Sequence, residues 1–171
     1  SFSRFLIPAI SLYEGWALWC DGDFLFLEDV AKLFALASDK YAVMCVKHRH
    51  IPNEDTKMDG RAQTTYHRKN WSSLVLWNCS HPANRNLTPH VVNTSSGQYL
   101  HAFSWLKEDE IGEIPLDWNY LVGVSRPMNL GHISALHYTL GTPEFEAYRN
   151  GPYTNLWTNE YRHLTQKARA A

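Results

Sequence analysis

The chain has no excess of charge of either sign, few cysteines and no long hydrophobic run. Its 16 lysine and arginine residues nearly balance 17 aspartate and glutamate residues, which gives a net charge of −1 at pH 7. This balance disfavours a general nucleic-acid or membrane-surface binder. No apolar run approaches the roughly 18 residues that a membrane-spanning helix needs, so we expect no membrane span. The 171 residues, 44% of them hydrophobic, are enough for one soluble domain with its own core.

Cysteine usage gives an expectation about the cellular compartment. Cys20, Cys45 and Cys79 are an odd set without Cys-x-x-Cys spacing. Each lies in an apolar, strand-like context, which predicts reduced thiols in the core of a cytoplasmic protein. The sequence starts without Met and without a signal-peptide pattern, so we expect that the native N-terminus is not shown.

Several common catalytic motifs are also absent. No Gly-x-Ser-x-Gly, phosphate loop or dinucleotide fingerprint occurs. His48, His50 and His67 share a polar loop over residues 48–70 without regular spacing, which indicates a solvated loop rather than a zinc site. Two acids one residue apart do not predict the facing carboxylates of a glycoside hydrolase.

The most informative segment that is present runs from Trp19 to Phe24. Asp21 and Asp23 flank Gly22 directly after an apolar stretch that predicts a short strand over 16–20. Ligand sites of open α/β sheets lie beyond the carboxyl ends of strands. Carboxylates there can hold a divalent cation, and the cation can hold a diphosphate. The alternative is that Asp21 and Asp23 belong to a solvated turn that binds no metal.

The remaining pattern predicts an α/β domain with a mixed sheet. Strands are expected over 16–20, 41–47, 72–79 and 133–140, with an extended segment over 114–123. Helices are expected over 2–13, 28–37 and 153–168, with two short ones within 88–105. His137 lies on the last strand, where a core histidine is the alternative to a metal ligand. His132 is a competing ligand that we expect at the surface. The seven Trp and nine Tyr residues predict that one or two aromatic side chains line a polar cleft.

Taken together, the motifs resemble those of GT-A-fold glycosyltransferases of the glycogenin-like group, in a bacterial and phage-associated branch. The matching segments lie within about residues 1–160 and follow the family order: Ser3–Pro8, Gly15–Phe26, Lys57–Gly60, Arg68–Cys79, Leu106–Asn119 and His137–Pro143. The resemblance implies a GT-A-like mixed sheet flanked by helices, without the N-terminal β-α-β units that bind the nucleoside in relatives. It also implies a single, N-terminally truncated domain over 1–171.

The resemblance implies a metal-dependent transfer of a sugar from a nucleotide-diphosphate donor, expected to be UDP-linked, to a glycan or another hydroxyl acceptor. The enzyme would be hexosyltransferase-like, and retention at the anomeric carbon rests on analogy alone. Asp21, Asp23 and His137 would bind Mn²⁺, with Mg²⁺ as the second choice. The implied substrate-binding residues are Arg68, Lys69, Asn70, Ser72, Ser73, Trp118 and Asn119. Asp109 or Glu110 would be the catalytic acid near the sugar.

Two departures from the family pattern keep other functions open. The missing N-terminal part favours a non-catalytic carbohydrate-binding or assembly module, whereas the intact acids and His137 favour an enzyme. Thr142-Pro143-Glu144 replaces the Gly-Pro-Trp of relatives, which affects contacts near the acceptor. A metal-dependent nucleotidyl- or phosphotransferase is a third alternative, although such enzymes usually need a glycine-rich phosphate loop.

Overall fold

The computed structural model describes residues 2–48 and 68–170, with side chains to residue 168. The chain divides into two compact units. The first comprises Ser1–Asp21 and Ala31–Leu116, and the second comprises Gly22–Val30 and Asp117–Ala171. The Lys57–Gly60 segment of the predicted central loop, together with His50 and His67, lies outside the described residues.

The described elements are short, apart from the last helix. The strands are β1 (Trp16–Cys20), β2 (Phe24–Phe26), β3 (Val43–Cys45), β4 (Leu74–Asn78), β5 (Ile111–Glu113), β6 (Tyr120–Leu121) and β7 (Ala135–His137). The α-helices are α1 (Ile7–Ile10), α2 (Val30–Phe34), α3 (Pro89–Thr94), α4 (Gly97–His101) and α5 (Thr154–Ala170). Turns of 3₁₀-helix cover Ser3–Leu6, Trp71–Ser73, Pro82–Asn86, Glu108–Glu110, Leu116–Asn119, Leu130–His132 and Glu146–Tyr148.

The first unit contains a mixed sheet in the order β1-β4-β3-β5. β4 pairs antiparallel with both β1 and β3, and β3 pairs parallel with β5. Every residue of β4 is buried, in keeping with the apolar run over 74–77 that makes up most of it. Phe5, Trp77 and Phe103 are fully buried in the core beside this sheet.

The second unit contains a smaller mixed sheet in the order β2-β7-β6. β7 pairs antiparallel with β2 and parallel with β6. Leu136 and Tyr138 lie in its core, and Leu156 and Trp157 of α5 pack against it. The two mixed sheets and their flanking helices make this a mixed α/β structure, as the sequence predicts.

Several predicted elements are confirmed and others differ in length or type. β1, both helices within 88–105 and α5 are confirmed. The helix predicted over 2–13 is a 3₁₀ turn followed by one α-helical turn, because Pro8 allows a helix start but removes a donor. The extended segment over 114–123 contains a 3₁₀ turn at Leu116–Asn119. β2 and β5 were not predicted, because the three residues of each are too few for a periodic pattern.

All three cysteines are free, and Cys45 and Cys79 are buried. Burial raises the pKa of the Cys45 thiol to about 12, so this thiol stays protonated at neutral pH. Among the described helices, none combines the length and hydrophobicity needed to cross a membrane.

Candidate active site

The first aspartate of the Asp-Gly-Asp segment lies at the end of β1. Its backbone N–H donates a 2.9 Å hydrogen bond to the carbonyl of Ser73, directly beyond the pairing of Cys20 with Leu74. The β1–β4 ladder therefore fixes the backbone of Asp21, whose side chain is half-buried.

Arg4 holds the Asp21 carboxylate through both guanidinium nitrogens. The Arg4 Nη2 to Asp21 Oδ1 distance is 2.7 Å, and the Nη1 to Oδ2 distance is 3.3 Å. Nη1 also donates to the Ser72 carbonyl at 2.6 Å, and the guanidinium lies 5.7 Å from the centre of the Trp19 ring. A forked guanidinium contact fixes the plane of a carboxylate. Arg4 is thus a site residue whose role the sequence analysis missed.

The second aspartate belongs to the other unit, where it faces His137. β2 and β7 pair with Phe24 opposite His137, and the Tyr138 backbone N–H donates to the Asp23 carbonyl at 2.9 Å. This ladder brings Nε2 of His137 to 3.4 Å from Oδ1 of Asp23. The Phe24 ring stacks on the imidazole with 4.3 Å between ring centres, which fixes the imidazole plane.

Asn119 contacts the other nitrogen of the imidazole. The distance between Asn119 Oδ1 and His137 Nδ1 is 2.8 Å, and both side chains are buried. An amide oxygen only accepts hydrogen bonds, so Nδ1 carries the proton. In the neutral ring, Nε2 then presents its lone pair towards Asp23, which is the arrangement of a metal-binding histidine. Asn119 was predicted to bind substrate, and the structure places it against His137.

The residues present fit a divalent cation. Asp23 and His137 offer a carboxylate oxygen and an imidazole nitrogen that face each other, a donor pair suited to Mn²⁺. Asp21 has two carboxylate oxygens, and its contact with Arg4 leaves further lone pairs on them. His132, the competing ligand of the sequence analysis, is exposed as expected.

Arg68, which the resemblance implies as a substrate-binding residue, contacts other groups of the protein. Arg68 donates to the Ala102 carbonyl and to the Glu108 carboxylate. Its guanidinium lies 5.2 Å from the centre of the Trp71 ring. Lys69 is half-buried in the turn that follows, and Asn70 ends that turn with a φ of +66°. The structure therefore gives Arg68 partners within the first unit.

The two predicted serines are buried and hydrogen-bonded. The Ser73 hydroxyl donates to the Asn70 carbonyl at 2.6 Å, and the Ser72 hydroxyl lies 2.6 Å from Nδ1 of His101. Burial, together with the positive charge of Arg4, lowers the pKa of His101 to about 4. His101 is thus neutral at pH 7, and its Nδ1 shares a hydrogen bond with the Ser72 hydroxyl. No pattern in the sequence indicated this contact.

The remaining predicted site residues lie in 3₁₀ turns. Glu110 accepts from the Lys107 backbone N–H at 2.7 Å and so caps its own turn. Asp109 is exposed in the same turn. Trp118 is buried, with 5% of its surface exposed. The catalytic role of Asp109 and Glu110 stays a prediction.

Comparison with solved structures shows which fold these two units build. The glycosyltransferase GlyE of Streptococcus pneumoniae TIGR4 matches with a TM-score of 0.63 and 15% identity, over 93% of this chain and 42% of GlyE. The galactosyltransferase LgtC matches with a TM-score of 0.56 and 12% identity, over 92% of this chain and 64% of LgtC. The bifunctional glycosyltransferase WbbM matches with a TM-score of 0.56 and 15% identity, over 90% of this chain and 36% of WbbM. The fold is therefore that of the GT-A-like glycosyltransferases, as the sequence predicts.

A sequence relative is much closer than these structures. The chain is 52% identical over 170 residues to Protein CDI of Arabidopsis thaliana, a match that covers 98% of this chain and 66% of that protein. The chain thus spans just under two thirds of this relative. No protein-family model matches the chain.

Proposed function

We propose that the chain is the catalytic part of a metal-dependent glycosyltransferase. It would transfer a sugar from a nucleotide-diphosphate donor, UDP-linked in our proposal, to a hydroxyl group of a glycan or another acceptor. The observation that carries this proposal is the contact of Asp23 with Nε2 of His137, whose Nδ1 is held by Asn119. The GT-A-like fold supports sugar transfer as the general activity.

Asp21, Asp23 and His137 would hold the cation, with Mn²⁺ as the first choice and Mg²⁺ as the second. Asp21 and Asp23 are separated by one residue, so chain geometry alone keeps their Cα atoms within roughly 7 Å. When bound, the cation supplies positive charge that neutralises the departing nucleotide diphosphate. Arg4 would keep the plane of the Asp21 carboxylate fixed, and Asn119 would hold the His137 ring in the tautomer and orientation in which Nε2 can bind the cation.

The substrate contacts are proposals that rest on the resemblance. The solved LgtC structure contains donor and acceptor sugar analogs, and we propose that this chain binds the same two classes of ligand. Lys69, Asn70, Ser72 and Ser73 would contact the donor, and Asp109 or Glu110 would act near the transferred sugar. Because Arg68 already pairs with Glu108, its guanidinium would need to leave this carboxylate to reach a phosphate.

The experiment is calorimetric titration of UDP into the protein with and without Mn²⁺. We expect UDP binding that depends on Mn²⁺, and loss of roughly a hundredfold in affinity in Asp23→Asn and in His137→Gln, because each removes one ligand. Asp39→Asn removes an exposed carboxylate elsewhere and should leave binding unchanged. Circular dichroism checks that each variant is folded.

Other outcomes would contradict the enzyme proposal. Binding of UDP that is equal with and without Mn²⁺ excludes a metal-held diphosphate. Binding of free glycan without any nucleotide binding indicates the alternative function, a non-catalytic carbohydrate-binding module.

A second assay extends the binding result to catalysis. We expect the protein to release labelled sugar from the donor, and the Asp23→Asn variant to lose this activity.

A further inference from the structure

An open surface cleft of about 530 Å³ lies in the second unit, between the start of α5 and the turn before it. Its lining contains two arginines and several amide and hydroxyl side chains, and none of its lining residues is acidic: Arg149, Asn150, Gly151, Tyr153, Thr154, Asn155, Thr158, Asn159 and Arg162. None of these residues belongs to the predicted metal or donor site. The proposed function therefore leaves this cleft unexplained.

The helix wall of the cleft is one continuous face of α5. Asn155, Thr158, Asn159 and Arg162 follow the spacing i, i+3, i+4 and i+7, which aligns side chains along about 10 Å of helix. Glu160, the acid of α5, is rotated roughly 140° from Asn155 and so lies away from this face. This face of α5 therefore carries one cationic and three uncharged polar side chains, and no acid.

The two arginines are exposed, and neither guanidinium forms an ion pair with a residue in the described part of the chain. Glu146 precedes Arg149 by three residues but does not line the cleft. A guanidinium binds carboxylate or phosphate through two parallel hydrogen bonds. Two such groups on one cleft favour a ligand that carries negative charge.

The other side chains that line the cleft favour a sugar as the ligand that carries the negative charge. Asn150, Asn155 and Asn159 each offer both a hydrogen-bond donor and an acceptor, which matches the hydroxyl groups of a sugar. Tyr153 also lines the cleft, and its ring packs against Tyr120 of the core, so this part of the wall is anchored to the second unit.

We propose that this cleft binds an anionic oligosaccharide, a sugar chain that bears carboxylate or phosphate groups, as the acceptor end of the transfer reaction. The role of the oligosaccharide as acceptor rests on the proposed function, whereas its binding to the cleft needs neither metal nor nucleotide. Arg149 and Arg162 would bind the anionic groups, and the asparagine amides would bind the hydroxyls between them.

The test is calorimetric titration of matched oligosaccharides without metal or nucleotide. One bears carboxylates, one bears phosphates and one is neutral. We expect at least one anionic oligosaccharide to bind about tenfold or more tightly than the neutral one, and Arg149→Gln/Arg162→Gln to remove this difference. Arg126→Gln removes an exposed arginine of the same unit outside the cleft and should bind as the unchanged protein does.

Three outcomes would overturn the proposal. They are equal binding of neutral and anionic oligosaccharides, unchanged binding in the double variant, and equal binding of polyglutamate, which carries the charge without the sugar. Asn155→Ala/Asn159→Ala tests the amides separately and should weaken the anionic oligosaccharide without affecting polyglutamate. If the oligosaccharide binds while Mn²⁺-dependent UDP binding is absent, the cleft stands and the proposed function fails. If UDP binds in an Mn²⁺-dependent way while no anionic oligosaccharide binds preferentially, the proposed function stands and only the proposal for the cleft fails.

Discussion

Asn119 accepts a hydrogen bond from Nδ1 of His137 through a 2.8 Å contact between two buried side chains. This contact selects the imidazole tautomer and directs the lone pair of Nε2 to the side where Asp23 lies at 3.4 Å. Asn119 immediately precedes β6, and β6 pairs with β7, which carries His137. The small sheet of the second unit therefore orients the imidazole before any cation binds.

We expect Asn119→Leu to weaken Mn²⁺ binding about ten- to a hundredfold, because partners of this kind orient the ligand and set its tautomer. Leucine has a similar volume but no oxygen to accept the Nδ1 proton. The measurement is Mn²⁺ affinity from the electron spin resonance signal of the free ion.

Asn84→Leu is the matched control for Asn119→Leu. Asn84 is also fully buried, and it donates to the carbonyls of Ala42 and Asn78 in the first unit. This variant should lose stability and keep its Mn²⁺ affinity in the folded protein. Equal losses of affinity in both variants would indicate a general effect of a buried amide rather than orientation of His137.

Arg4 and Asp21 should be energetically coupled. Arg4 is buried while the Asp21 side chain is 28% exposed, so the pair is partly screened by solvent. We expect Arg4→Met to lower the free energy of unfolding by about 1–3 kcal/mol, because the Ser72 carbonyl and the Asp21 carboxylate both lose a donor. Urea unfolding of both single variants and of Arg4→Met/Asp21→Asn gives the coupling.

The double variant should be less destabilised than the sum of the single variants by about 1 kcal/mol. Arg126→Met, at an exposed position of the second unit, should change stability by less than about 0.5 kcal/mol. Strict additivity of Arg4→Met and Asp21→Asn would show that the contact is not an energetic pair.

The sequence predicted this fold best where the pattern was long or continuous. The apolar run over 72–79 predicts a strand, and β4 lies within it and is buried along its whole length. The 17 residues of α5 give a clear helical period. The Asp-Gly-Asp segment was proposed because acids after an apolar strand are a local signal, and His137 was proposed from the family resemblance; their role as metal ligands stays a prediction.

The rest of the site depends on pairing between distant segments. Arg4 meets Asp21 because the turn at Ser3–Leu6 packs near the β1–β4 edge, and His101 meets Ser72 across two separate elements. Neither pair has a fixed spacing that a sequence pattern could reveal. Arg68 was expected to bind substrate from the family resemblance, whereas its partner in the structure, Glu108, lies 40 residues further along the chain.

The packing of β5, one of the strands that the sequence did not predict, can be tested at Gly112. A Cβ atom added at Gly112 would lie 2.6 Å from Cδ2 of Tyr41 and 2.7 Å from Cγ of Met44. We expect Gly112→Ala to lower the free energy of unfolding by about 1–3 kcal/mol, because these side chains must move out of well-packed positions. Urea denaturation measures the change.

Gly22→Ala is the control for this substitution, because a Cβ there has no atom within 4 Å. It should change stability by less than about 0.5 kcal/mol. A neutral Gly112→Ala would mean that β5 does not pack against Tyr41 and Met44 in solution.

His101 should make stability depend on pH in a defined window. The unfolded chain binds a proton at this imidazole below about pH 6.5, whereas burial and the charge of Arg4 lower the pKa in the folded chain to about 4. Between these values the unfolded state carries more protons, so the free energy of unfolding falls as the pH falls. The contribution is fully present above about pH 6.5 and is lost by about pH 4. Because His101 is half-buried, we expect a loss of about 1–2 kcal/mol between pH 7 and pH 5.

Urea unfolding at about pH 7 and about pH 5 separates this contribution from those of other titrating groups. His101→Asn keeps an acceptor for the Ser72 hydroxyl but cannot titrate, so it should lose about 1–2 kcal/mol less than the unchanged protein over this interval. His132→Asn removes an exposed histidine and should follow the unchanged protein. If all three proteins lose the same stability on acidification, His101 is protonated as readily in the folded chain as in the unfolded one, and its hydrogen bond with Ser72 does not require the neutral ring.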